Sequence, residues 1–150
     1  MDAIDRAILA ELQRDGRQTL TELAERVQLS VSPCHRRLRA LERAGVITGY
    51  HARLDPASLG LGFAALVFVT MREATRGSIG AFESAVAGLP NVLQAQRLFG
   101  DPDYLLRVIA RDLADYQRLY DDQLATLPGV QRLTSTLVMR SIVEDRSLPL

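Results

Sequence analysis

The chain has 150 residues, 47% of them hydrophobic and 24% charged, a composition that folds in water, in a chain long enough to bury a core without a metal or disulfide staple. Eighteen basic residues, all arginine, balance eighteen acidic ones, so no global charge points to nucleic acid or membrane, and a lone cysteine, Cys34, excludes an intrachain disulfide. The longest apolar run, Phe63 to Met71, is too short to cross a bilayer, and no basic-then-apolar leader follows Met1, so a cytoplasmic setting is expected.

The first fifty residues predict three short helices. Ile4, Ile8, Leu9 and Leu12 recur at helical spacing after Asp2 and stop at Asp15-Gly16. Thr19 stands three residues before Glu22, a capping-box spacing, and Leu20, Leu23, Ala24 and Val27 make one apolar face of a second helix about nine residues long. After Gln28-Leu29, Ser30 is placed to cap a third helix running from about Val31 to Ala44, with Pro33 in its first turn and Gly45 as its stop. Val46 to Leu54 is expected to be extended, turned at Thr48-Gly49.

The breakers in Asp55 to Gly62 mark a linker, giving domains at 1–54 and 63–150. In the second domain the period changes. Phe63 to Met71 is apolar on both faces, as in a strand covered on each side. Ser78 is placed to cap a helix carrying Ile79, Phe82, Val86 and Leu89 and stopped at Gly88 and Pro90. Val92 to Phe99 and Tyr104 to Ala110 are expected to be strands around Gly100-Asp101-Pro102-Asp103. Asp112 caps a helix with Leu113, Tyr116, Leu119, Leu124 and Leu127, and Val130 to Val143 is a last long strand. The fold class is therefore α+β: an N-terminal helix-turn-helix, winged-helix-like domain followed by a ferredoxin-like βαββαβ domain.

Helix three carries the chemistry. At about 100° per residue, Val31, Cys34, Leu38 and Leu41 share an apolar sector about 80° wide, and Ser32, Arg36, Arg39 and Arg43 cluster within about 60° on the other side. Between Val31 and Arg43 four arginines outweigh the one acid, Glu42. Such a helix suits the major groove of double-stranded DNA, where Arg reads guanine or holds phosphate, with His35 beside it within reach of phosphate. A charged helical stripe alone is most often a solvated face; two helices before it and a short turn between favour the groove.

Leu29 to Tyr50, LSVSPCHRRLRALERAGVITGY, resembles the helix-turn-helix signature of the Lrp/AsnC (leucine-responsive, feast/famine) regulators, and Phe99 to Leu106 (FGDPDYLL) and Leu127 to Val130 (LPGV) match the family in order. The turn departs from the family pattern in carrying Gln28 where glycine is usual. The resemblance implies a transcriptional regulator that forms a homodimer through its C-terminal sheets, assembled further into tetramers or octamers. It also implies an amino-acid effector between dimers, near Gly100 to Tyr104 and near Thr134, Ser135 and Thr136. Chemically, Asp101 and Asp103 offer carboxylates to an ammonium group, Gly100 permits close backbone approach and the hydroxyls can bind a carboxylate. Gly-Asp-Pro-Asp is also simply a good turn sequence.

No catalytic constellation, metal site or cofactor motif is found. Cys34 and His35 point about 100° apart on a helix, Cys34 belongs to the apolar stripe, and His51 reads as surface. Tyr104, Tyr116 and Tyr120 read as core or interface; Asp121-Asp122 and Glu144-Asp145 read as surface acids. An enzyme on the ferredoxin-like unit would need convergent acid, base or metal groups that the sequence does not supply. A protein-binding adaptor would lack the steep salt dependence of phosphate contacts.

Overall fold

A computed structural model of the chain describes residues 1–144 and 146–150. The chain divides into two compact units, Met1–Arg53 with Ile142–Leu150, and Leu54–Ser141. Residues 142–150, expected in the second domain, thus group with the first, and Asp145 lies outside the described residues.

The first unit is three helices around one small core: α1 (Ala3–Arg14), α2 (Leu20–Arg26) and α3 (Val31–Arg43). Asp2 and Asp5 exchange side-chain-to-backbone bonds of 2.9 and 3.0 Å, closing a capping box at α1. Thr19 and Glu22 do the same at α2, satisfying amide groups that a helix start leaves without intrahelical partners. Ser30 occupies the cap position of α3, but its side chain makes no cap bond. Ile8, Leu23, Ala24, Cys34 and Leu41 are buried together; a fully buried leucine or isoleucine contributes about 1.5–3 kcal/mol. Val31, expected in the apolar stripe, is exposed, because the stripe meets the other helices only from Cys34 onward. Gln28 adopts φ 56°, so the turn keeps the left-handed geometry usually given to glycine.

The extended segment expected at 46–54 is not a strand. Val46 and Ile47 both donate to the Leu41 carbonyl, and Ile47 folds back onto the helical core, so these two amides serve the end of α3 instead of a neighbouring strand.

The second unit follows the expected order, with β1 (Phe63–Met71), α4 (Arg76–Ala87), β2 (Val92–Arg97), β3 (Tyr104–Ala110), α5 (Leu113–Leu119) and β4 (Val130–Leu137). The antiparallel sheet runs β2-β3-β1-β4, the strand order of a ferredoxin-like unit. Within 55–62, Ala57–Leu59 is a short 3₁₀ turn to which Asp55 supplies the accepting carboxylate.

Four details differ from expectation. The cap of α4 is Thr75, with Ser78 as its reciprocal partner three residues on. β2 stops at Arg97, leaving Leu98 and Phe99 in the turn. α5 passes into a π-helical turn, Tyr120–Leu124. β4 ends at Leu137 because β1 begins at Phe63: after the Val138 amide donates to Ala64, no partner strand remains.

The core of this unit lies on the helix side of the sheet: Ala65, Val67, Val69 and Met71 of β1 are buried with Phe82, Val86, Leu106, Val108, Tyr116 and Leu124. The alternate residues of β1, among them Leu66 and Phe68, are only half-buried. The double-sided apolar strand is therefore covered on one face by its own helices, and its other face is open within one chain.

Candidate nucleic-acid interface

The side chains of Ser32, His35, Arg36, Arg39 and Arg43 are all exposed on α3; Ser32 and the three arginines lie on the side opposite Cys34 and Leu41, which are buried, and His35 lies beside them. The helix is gripped from behind. Burial pushes the Cys34 thiol up, which makes it an inert packing group.

Arg37 belongs to the grip. Its Nη1 donates to Asp2 at 2.7 Å and to Asp5 at 2.8 Å, tying α3 to the start of α1. The bonds it donates to Asp5 and then to Asp2 raise its pKa. This arginine lies outside the outward cluster, and the periodicity reading did not assign it a role; its partners are more than thirty residues away in sequence. The outward face thus has three arginines, Arg36, Arg39 and Arg43.

Arg39 is itself held. Its Nη1 donates to Glu42 Oε2 at 2.9 Å and its Nε to His35 Nε2 at 3.3 Å. The other carboxylate oxygen of Glu42 accepts the Tyr50 hydroxyl at 3.1 Å. Partial burial, then the bond to Glu42, push the Tyr50 phenol up. Glu42 and Tyr50 were not among the expected site residues. The Arg39–Glu42 spacing of three on a helix is a signal that could have found the first; nothing local points to Tyr50.

The expected effector residues do not form one pocket within a chain. Gly100, at φ 140°, and Asp101 are exposed at the tip of the β2–β3 turn. Asp103 is turned inward: its carboxylate accepts from the Met71 amide at 2.7 Å, and its own amide donates to Val69. Tyr104 is buried against Phe82, with its hydroxyl donating to Glu83 at 2.8 Å; burial first, then Glu83, push its pKa up to about 12. It lines a groove of about 420 Å³ between α4 and β2, which none of the other expected effector residues enters.

Ser135 pairs with Val67 and so faces the helices, where it shares a 2.6 Å hydrogen bond with Tyr116. Thr134 and Thr136 pair with Phe68 and Leu66 and lie on the open face. The candidate set is therefore split among the turn, the helix side and the open side of the sheet.

A small helical unit presenting an arginine face, joined to an α+β unit with one uncovered sheet face, defines a two-part DNA-binding regulator. Comparison with known proteins agrees along the whole chain. Residues 1–48 match the family model described as winged helix-turn-helix DNA-binding, and residues 64–148 match the Lrp/AsnC ligand binding domain. The proline dehydrogenase transcriptional activator of Rhodobacter capsulatus is 39% identical over 147 residues, covering 98% of this chain and 96% of the relative. The leucine-responsive regulatory protein of Rhizobium meliloti is 40% identical over 142 residues, covering 95% and 91%. Among solved structures, a Neisseria meningitidis transcriptional regulator in complex with L-Met superposes with a TM-score of 0.94 at 39% identity, covering 99% of this chain and 96% of that one. The chain belongs to the Lrp/AsnC family of transcriptional regulators. It is a DNA-binding regulator and not an enzyme.

Proposed function

We propose that this regulator reads double-stranded DNA with α3, through Ser32, His35, Arg36, Arg39 and Arg43, as a homo-oligomer whose assembly or DNA affinity an amino acid biases. The observation that supports it is the division of labour on α3: Arg37 is consumed in anchoring, while the other three arginines face outward. An anchored helix with outward-facing guanidinium groups can enter a major groove without rearranging the domain. Two-fold pairing of copies through the open sheet face sets two such helices on half-sites separated by whole helical turns.

An amino-acid effector fits the exposed polar groups of the second unit, and the L-Met complex of the Neisseria relative supports that ligand class. Since the groups lie apart within one chain, the site we propose is completed by a neighbouring copy. Gly100, Asp101, Thr134 and Thr136 meet the ligand, and Asp103, Tyr104 and Ser135 hold the turn and the strand in place. A ligand at such a junction shifts the assembly by its preference for one arrangement of copies. Among the described residues no helix is long and apolar enough to cross a membrane; the cytoplasm is the proposed location.

Arg36→Ala and Arg39→Ala are each expected to weaken binding to an operator duplex in gel-shift titration while the sizing profile is unchanged; undiminished affinity in both would remove α3 from the interface. A thermal-shift screen of the twenty amino acids tests the effector, because a ligand that binds only the folded form raises the melting temperature.

A further inference from the structure

We infer that Glu42 and Tyr50 are positioning residues that aim Arg39 for reading a base, and so set sequence discrimination without touching DNA themselves. The inference rests on α3 being the DNA-reading helix. Its structural basis is a hydrogen-bonded chain of four side chains, His35, Arg39, Glu42 and Tyr50, all within the first unit.

Arginine recognises guanine by laying two parallel N–H groups along one base edge, so the plane of the guanidinium must be held in register with the base. A freely rotating side chain loses that freedom on binding, which weakens the complex. Here two of the three guanidinium nitrogens already have acceptors, Nε on His35 and Nη1 on Glu42, which fixes the plane. Nη2 and the second hydrogen of Nη1 remain available. Glu42 is itself restrained, because Tyr50 occupies its other oxygen, and its side chain is only 25% exposed against 60% for Arg39. The order of exposure matches the roles: the aiming carboxylate sits lower, the reading group higher.

Arg36 and Arg43 provide the contrast. Among the described residues neither side chain has an ion-pair or hydrogen-bond partner. They are suited to phosphate, whose recognition needs charge and tolerates many orientations. One helix face thus separates a held arginine for the base from loose arginines for the backbone.

The test compares full-length wild type, Tyr50→Phe, Glu42→Gln and Arg39→Ala on two probes: a duplex enriched from a random pool by the wild-type protein, and a scrambled duplex of the same composition. Affinities are measured across a salt series, with far-UV circular dichroism and sizing to confirm the fold. Tyr50→Phe changes no charge, so it isolates positioning: affinity for the enriched duplex is expected to fall several-fold, and for the scrambled duplex to stay constant. Glu42→Gln removes a negative charge next to the DNA. Scrambled-duplex affinity is expected to rise, and the ratio of enriched to scrambled binding to drop by roughly tenfold, the size of one good bidentate base contact.

If Arg39→Ala lowers the ratio while Tyr50→Phe and Glu42→Gln leave it at the wild-type value, Arg39 reads DNA unaided and the positioning role is overturned. An equal rise on both probes in Glu42→Gln, with no change in Tyr50→Phe, reduces Glu42 to a screening charge and also overturns it. If Arg39→Ala changes nothing on either probe, what fails is the assignment of Arg39 to the interface, and the inference falls with it.

Discussion

The backbone of Leu148 exchanges two hydrogen bonds with the side chain of Gln13: its amide donates to Gln13 Oε1 at 2.6 Å and its carbonyl accepts from Gln13 Nε2 at 3.2 Å. A glutamine side chain carries one acceptor and one donor on a single planar group, so it can pair with a peptide as a neighbouring strand would. This pairing fastens the chain's end to α1, and Leu148 and Leu150 line an apolar groove with Leu9, Leu12, Ile47 and Tyr50. Gln13→Ala is expected to destabilise the first unit by about 0.5–1.5 kcal/mol, the net contribution of a typical intramolecular hydrogen bond. Deletion of residues 148–150 is expected to cost more, since it also uncovers the groove. Hydrogen exchange of the α1 amides measures both, and unchanged protection in the deletion would show that the tail adds nothing to this unit.

Gln28 holds φ 56° between α2 and α3, a region that costs a side-chain-bearing residue about 1 kcal/mol or more relative to glycine. Gln28→Gly relieves that cost but gives the unfolded chain more freedom. The net expectation is a stabilisation of roughly 0.5 kcal/mol, read as a higher urea midpoint with unchanged slope. A lower midpoint would mean that the glutamine side chain contributes more than its backbone conformation costs.

Tyr104 contributes to an alkaline limit of the second unit, alongside Tyr116, whose phenol is also pushed up by burial. The pKa of Tyr104 in the fold is about 12 against an ordinary value of 10, so below pH 10 the phenol is neutral in both folded and unfolded chains and its contribution is complete. Between about pH 10 and 12 the unfolded chain loses its proton first, and stability falls as pH rises. Tyr104→Phe is expected to flatten that part of the stability curve. Urea titrations at pH 9 and pH 11 give the comparison, and an equally steep loss in the variant would place the alkaline sensitivity elsewhere.

At the acid end, hydrogen bonds hold the Asp2 and Glu22 carboxyls below their ordinary range: the Asp5 amide and then Arg37 for Asp2, the Thr19 amide and hydroxyl for Glu22. Their stabilisation is present above the ordinary carboxylate pKa near 4 and is lost as pH falls below it. Asp2→Asn keeps the shape of the cap and removes one of the two charge partners of Arg37, leaving Asp5; it is expected to lower stability at pH 7 and to reduce the acid dependence of the first unit. Circular dichroism melts from pH 2.5 to 7 would show this, and identical profiles for variant and wild type would count against it.

The half-buried Leu66 and Phe68 lie on the sheet face that the helices leave open. Phe68→Glu introduces a charge there, where a free chain can solvate it but a packed interface cannot. Analytical ultracentrifugation is expected to show dissociation to smaller species with the circular dichroism spectrum retained. A variant that sediments like the wild type would move the oligomer contact to another surface.

The elements that could be read from the sequence are those built by local rules. Thr19 and Asp112 were legible as caps because a capping bond spans only three residues, and the arginine face of α3 was legible because helical geometry alone puts Arg36, Arg39 and Arg43 on one side. The same arithmetic placed Val31 in the core, where it is not, since periodicity states a direction and leaves open whether anything waits there. Thr75 and Ser78 show the limit within a single turn: both hydroxyls can cap, and the helix takes the earlier one.

What the amino-acid order determined by itself was the succession of helices and strands, the family signature and the charge of one helix face, each a property of residues within a turn or two of one another. Tertiary structure alone decided that Arg37 binds Asp2 and Asp5, that Ser135 turns toward Tyr116 while Thr134 faces the open side, and that β4 ends at Leu137. Each depends on groups tens of residues apart, whose meeting is set by how whole elements pack and by where a neighbouring strand runs out.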